Sequence, residues 1–173
     1  MLALAEALAE SPGWAPRFVA YELVAAHQGA FSKLTPRLID RLSRGLADWG
    51  MVDAFGCTLS GAAWREGLIS SRKVAVWARS EDRWRRRLAL VSTVPLNVAA
   101  RGGTGDPSRT LAVCSMLVDD RDDMVVKALS WALRALARPE PGAVRKFMKE
   151  NGDRLAPLVR REVKNVLERG RKY

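Results

Sequence analysis

The stretch over residues 122–138, DDMVVKALSWALRALAR, most narrowly constrains what this chain can fold into. Its apolar residues Val125, Ala128, Leu129, Ala132, Leu133 and Leu136 recur at helical spacing and fill one face. Asp122 and Asp123 sit at the positive start of that helix, Arg138 at its negative end, and Pro139 stops it. A second stripe, Lys127, Trp131, Arg134 and Arg138, is spaced i, i+4, i+7 and i+11 and looks outward. Trp131 is its unusual member, a large aromatic set between cations. Two fates fit it. Either it packs beneath a neighbouring helix, the commoner outcome for an aromatic at this spacing, or it joins its cations in meeting a polyanion that also offers sugar rings and bases.

The remaining chain reads as further helices, with no alternating pattern that would make a strand. They are expected over residues 2–10, 14–28, from Thr35-Pro36 onward, 49 to about 59, 60–68 and 70–79, 83–94, 106–118, 141–150 and 155–169. Gly29 breaks the second, and Ser80 is the expected N-cap of the helix that carries Arg83. The glycines of Arg101-Gly-Gly-Thr-Gly-Asp106 predict a flexible loop. One charged position per unit, Arg17, Asp53, Arg87, Lys127 and Arg161, recurs at steps of 36, 34, 40 and 34 residues. Periods of this size belong to HEAT-like and TPR-like arrays, whose helix pairs bury their apolar faces only by stacking. The reading is therefore all-α: a curved stack of HEAT-like antiparallel helical repeats, one domain over residues 1–173. The five positions line one inner strip of mostly positive charge.

Charge narrows the partner. The net charge is +10, and an excess of that size raises encounter rates with anions, nucleic acid first and a membrane surface second. It is clustered: residues 72–87 hold seven Lys or Arg against two acids, and residues 160–172 hold six against two. No apolar run approaches a membrane span, and the opening MLALAEALAE has no basic leader. The two cysteines, Cys57 and Cys114, lie in apolar surroundings without a CxxC, and the single histidine, His27, falls at a helix end. They read as reduced core thiols and a structural imidazole of a cytoplasmic protein, nucleoid-associated if the cell is bacterial. There is no His-based triad, no zinc-ligand spacing and no Walker loop, so neither a metal nor a cofactor is expected.

Two further groups carry chemistry. Trp49 and Asp53 are i and i+4 neighbours on one helix face, and Asp53 is the only acid among the five repeat positions. A salt bridge to Arg87 or Arg134 would explain it; so would a carboxylate facing positive charge that develops during a reaction. In Arg83-Trp84-Arg85-Arg86-Arg87 the four arginines spread around the helix. Arg87 belongs on the inner strip beside Arg83's face, while Trp84 and Leu88 point to the core.

The segments Trp49-Gly-Met-Val-Asp53, Trp84-Arg-Arg-Arg87, Lys127-Ala-Leu-Ser-Trp131-Ala-Leu-Arg134 and Leu155-Ala-Pro-Leu-Val-Arg-Arg-Glu162 together resemble the AlkD-type DNA alkylation repair family. That resemblance implies a glycosylase that excises positively charged alkylated purines, N3-methyladenine and N7-methylguanine, from duplex DNA without a metal. It further implies that Trp49 and Trp131 pack against the lesion's deoxyribose, that Asp53 is the catalytic carboxylate, and that Arg87 contacts the backbone at the active site. Arg134 matches a phosphate-binding arginine; Lys127, Arg86, Arg161 and Arg17 complete the expected DNA-binding set. Relatives commonly carry additional N-terminal helices ahead of the match, and Gly50 stands where active members tend to have a polar or acidic residue. Two other functions fit the same helices: a non-catalytic repeat protein that binds distorted or branched DNA, and a protein-interaction scaffold.

Overall fold

The computed structural model describes residues 1–172, and among them there are only helices and turns. Helices α1 (Leu2–Glu10) and α2 (Trp14–Ala26) form the first antiparallel pair. After the short α3 (Gln28–Phe31) comes α4 (Pro36–Leu42), then α5 (Trp49–Phe55), which runs through a π turn (Gly56–Ser60) into α6 (Gly61–Arg65). The third pair is α7 (Ser71–Ala78) with α8 (Arg83–Val91), followed by the single turn α9 (Val94–Asn97). The fourth is α10 (Pro107–Met116) with α11 (Asp123–Ala137), and α12 (Pro141–Asn151) with α13 (Pro157–Arg169) close the stack.

The second helices of these pairs build one continuous layer: α2 packs on α5, α5 on α8, α8 on α11 and α11 on α13. The first helices form the other layer, with α1 against α4 and α7 and α12 both against α10. This is the two-layer stack of a HEAT-like repeat fold. Helix α11 sits between α8 and α13, which is why it is apolar over so much of its circumference. All six core residues expected on it are buried, and so are Val126, Ser130, Ala135 and Ala137. Asp122 caps it as its charge pattern required, accepting from the Met124 amide at 2.9 Å.

Four local expectations need correction. The helix beginning at Trp49 does not end near residue 59: the π turn carries it on to Arg65. Two glycines let it lie close to its neighbours. A Cβ on Gly56 would come within 2.6 Å of Val91 Cγ1, and one on Gly61 within 2.7 Å of the Ser92 carbonyl oxygen. The second helix stops at Ala26 rather than at Gly29, because His27 turns out as an N-cap whose Nδ1 accepts from the Ala30 amide at 3.0 Å. Asp82, not Ser80, caps α8, accepting from the Trp84 amide at 2.9 Å, and the helix ends at Val91.

The glycine segment is the expected loop, and hydrogen bonds tie it to the fold. Gly103 donates to the Val98 carbonyl at 3.0 Å, Gly105 to that of Leu96 at 3.1 Å, and the Asp106 amide to Asn97 Oδ1 at 2.9 Å. Asn97 is buried and in turn donates to Thr93 O and Thr110 Oγ1 at 3.0 and 2.9 Å. A Cβ at Gly103 would lie 2.4 Å from the Pro95 carbonyl oxygen and 2.5 Å from the Leu96 carbonyl carbon, both backbone atoms that cannot swing away. Gly103→Ala is therefore expected to cost about 1–3 kcal/mol, the range for overpacking. Thermal denaturation should show a fall of several degrees in Tm; an unchanged Tm would mean the segment yields.

Candidate functional site

The five repeat positions fall on the inner layer, one to a helix. Asp53, Arg87, Lys127 and Arg161 are each the fifth residue of α5, α8, α11 and α13, and Arg17 is the fourth of α2. Four of these positions are basic and one is acidic; on α13 the recess beside Trp131 is lined by Leu158 and Glu162 rather than by Arg161.

Asp53 and Arg87 meet face to face. Arg87 Nε donates to Asp53 Oδ1 at 2.8 Å and its Nη2 to Oδ2 at 2.7 Å, a bidentate pair between α5 and α8. Its remaining Nη1 donates to the Met124 carbonyl at 2.5 Å, in the first turn of α11. One buried guanidinium thus ties three successive helices. The Asp53 side chain is the more open partner, 18% exposed against 7% for Arg87. Arg87 occupies two of the roughly four lone-pair directions of that carboxylate. Burial raises the Asp53 carboxyl above its ordinary value, and the hydrogen bonds and charge of Arg87 offset this only in part.

Trp131 lies one helix further on. It is half-buried against the core and lines two recesses. The smaller, of about 280 Å³, is shared with Arg87, Lys127, Arg134, Leu158, Glu162 and Lys172. The larger, of about 850 Å³, runs from Trp131, Arg134 and Arg138 to Asn97, Val98, Ala99 and Ala100. One portion of Trp131 is covered by the core, and the side chain also lines open cavities with Arg87, Lys127, Arg134, Arg138 and Lys172. Trp49, one turn before Asp53, is 62% exposed at the start of α5.

The other sequence-selected residues are placed unevenly. Arg134 lies in the recess, its Nε donating to Ser130 Oγ at 3.2 Å and standing 3.5 Å from Glu162 Oε2. Lys127 is exposed and pairs with Asp123 at 2.7 Å, and Arg161 is exposed on α13. Arg17 donates to the Arg44 carbonyl at 2.8 Å. Arg86 is not with the cluster: its guanidinium is turned onto Asp120 at 2.7 Å and onto the carbonyls of Ser80 and Glu81 at 3.1 and 2.7 Å.

Sequence reasoning assigned no role to Glu162. It is buried, accepts from Ser130 Oγ at 2.6 Å, and bonds Lys172 Nζ at 3.0 Å. Burial opposes its charge, yet the hydrogen bonds of Ser130 and Lys172 and the cations Lys172 and Arg134 outweigh it, holding the carboxyl below its ordinary value. A signal was present, because Glu162 interrupts the apolar stripe Val159, Val163, Val166 of α13. Cys57 and Cys114 are free and buried; burial pushes the Cys57 thiol up to about 11 and that of Cys114 higher still, so neither is a nucleophile at neutral pH. Among the described residues no cluster of His, Cys, Asp and Glu is arranged to hold a metal, and no helix is long and apolar enough to cross a membrane.

Helix pairs stacked in two layers define a HEAT-like repeat protein. Within that class the chain belongs to the family of DNA alkylation repair enzymes, which matches residues 1–164. No curated protein matches the sequence at a significant level. Family membership supports an enzymatic role in the repair of alkylated DNA.

Proposed function

We propose that the protein is a DNA glycosylase that hydrolyses the N-glycosidic bond of positively charged N-alkylated purines, N3-methyladenine and N7-methylguanine, in duplex DNA. The observation that carries this reading is the bidentate Asp53–Arg87 pair, whose arginine also lines a recess with Trp131, Lys127 and Arg134. A purine alkylated at nitrogen already bears a positive charge and departs as a neutral base, so no general acid is needed. What remains is an oxocarbenium-like sugar and an incoming water. A fixed carboxylate opposes the charge that develops at C1′ and accepts a hydrogen bond or proton from that water. Indole faces at Trp49 and Trp131 favour a cationic lesion and the electropositive edges of its sugar. Arg134, Lys127, Arg161 and Arg17 engage phosphates along the row, while Arg87 keeps the carboxylate oriented. Arg86, engaged within the fold, is the weakest member of the DNA-binding set.

The bidentate contact to Arg87 also favours a second reading, a duplex-binding member of the family in which the pair is only structural. Excess protein incubated with a duplex containing N7-methylguanine separates the two. Glycosylase activity yields free 7-methylguanine and an abasic site; binding without base release leaves the second reading. A further expected result concerns Arg134. Arg134→Ala should weaken duplex binding and lower the slope of log K against log salt by about one, as loss of one phosphate contact does. An unchanged slope would remove Arg134 from the interface.

A further inference from the structure

Trp14 opens α2 as Trp49 opens α5, and the two helices are neighbours in the inner layer. Both indoles are mostly in solvent, 68% and 62% exposed, whereas Trp64 and Trp77 are buried. Between the two helix starts lies a cavity of about 280 Å³ lined by Trp14, Arg17, Asp48, Met51 and the Gly45-Leu46 segment. Phe18 meets Trp14 edge-on, with centroids 6.4 Å apart and planes at 61°, which favours one pose of the indole. Arg17 donates to the Arg44 carbonyl at 2.8 Å and also hydrogen-bonds the Tyr21 side chain, out of the five N–H donors of a guanidinium. Asp48, the single acid in the lining, already accepts from the Met51 amide at 2.9 Å. The Trp49–Asp53 arrangement, an exposed indole one turn ahead of a charged inner-row position, is thus repeated one helix earlier as Trp14–Arg17.

We propose that Trp14 is a DNA-contacting residue: its indole packs on a backbone sugar of the bound duplex while Arg17 takes an adjoining phosphate. This rests on the reading of the inner row as a duplex-binding strip. Neighbouring helices lie about 8–10 Å apart and DNA rises about 3.4 Å per base step, so the contact falls about three base pairs from the lesion. The partner is an anion rather than a second copy of this chain, because a second copy would bring the same +10 charge against Arg17 and the cationic row.

The test is a fluorescence-anisotropy titration of an end-labelled, unmodified duplex with wild-type protein, Trp14→Ala and Trp14→Phe. Because Trp14 is so exposed, Trp14→Ala should keep the wild-type Tm. Its Kd for the duplex should be about tenfold weaker, the scale of a lost aromatic stacking contact, and Trp14→Phe should restore most of the binding. Equal Kd values for wild type and Trp14→Ala would overturn the assignment. So would a change in the sedimentation mass of the free protein, which would make Trp14 part of a self-association surface. Wild-type protein that binds no duplex at all would overturn the strip reading itself, a failure distinct from an unaffected variant.

Discussion

Arg87→Ala is expected to destabilise the fold by about 3–5 kcal/mol, the cost of removing one partner from a buried ion pair. The substitution leaves three acceptors without their donor: both oxygens of Asp53 and the Met124 carbonyl, which belong to α5 and α11. It also opens a void on α8, between helices that touch it from either side. Burial already raises the Asp53 carboxyl with Arg87 in place; without Arg87 nothing comparable offsets it. A carboxyl raised in the folded state binds protons more readily there than in the unfolded chain. Stability is then lost as pH climbs through the raised value and regained as pH falls below it. Denaturant unfolding should therefore show a larger deficit at neutral pH than under mildly acidic conditions. A deficit below about 1 kcal/mol at neutral pH would mean that the pair is worth no more than a surface salt bridge.

Asp53→Asn is expected to lower the rate of base release by about 10²–10³-fold, the scale for loss of one electrostatic stabiliser of a charged transition state. The amide is nearly isosteric but neutral, and one of its two ends is a donor facing a donor of Arg87. In the proposed mechanism it forfeits the field at C1′ and the acceptor for water, whereas the phosphate contacts proposed for Arg134, Lys127, Arg161 and Arg17 are untouched. Affinity for the duplex should consequently stay close to wild type or tighten, since a negative charge leaves a polyanion-binding strip. The same chemistry fixes a pH dependence. In the proposed mechanism the ionised carboxylate is the working form, and burial raises its pKa. The acid limb of the release rate should thus lie above about pH 4, the ordinary aspartate value, and should disappear in Asp53→Asn.

How far the chain itself disclosed this arrangement can be judged element by element. Helix α11 was legible because its apolar period, acidic start and Pro139 all agree, and its neighbours α8 and α13 cover the face that this period marked. The repeat was legible through one charged position per unit, which is the fifth residue of α5, α8, α11 and α13 and the fourth of α2. The sequence left Arg87 and Arg134 open as ion-pair partners of Asp53, and the fold selects Arg87. Features set by close approach between segments were not legible. The π turn after Phe55 depends on what Gly56 and Gly61 pack against, and nothing local distinguishes it from an ordinary helix end. The glycines at 102–105 carry a loop's composition, yet they are fixed by Asn97 and the backbone of Leu96, contacts made outside the segment. Glu162 was visible as a break in an apolar stripe, but its meaning needed Ser130 and Lys172 in place beside it.

The most direct test of the account is a single-turnover comparison of wild-type protein and Asp53→Asn on one N7-methylguanine duplex, with protein in excess and duplex affinity measured alongside. The account predicts release of free base by the wild type, a rate lower by at least about 10²-fold in Asp53→Asn, and equal or tighter duplex binding by the variant. Equal release rates, or a wild type that binds the duplex and releases nothing, would contradict it.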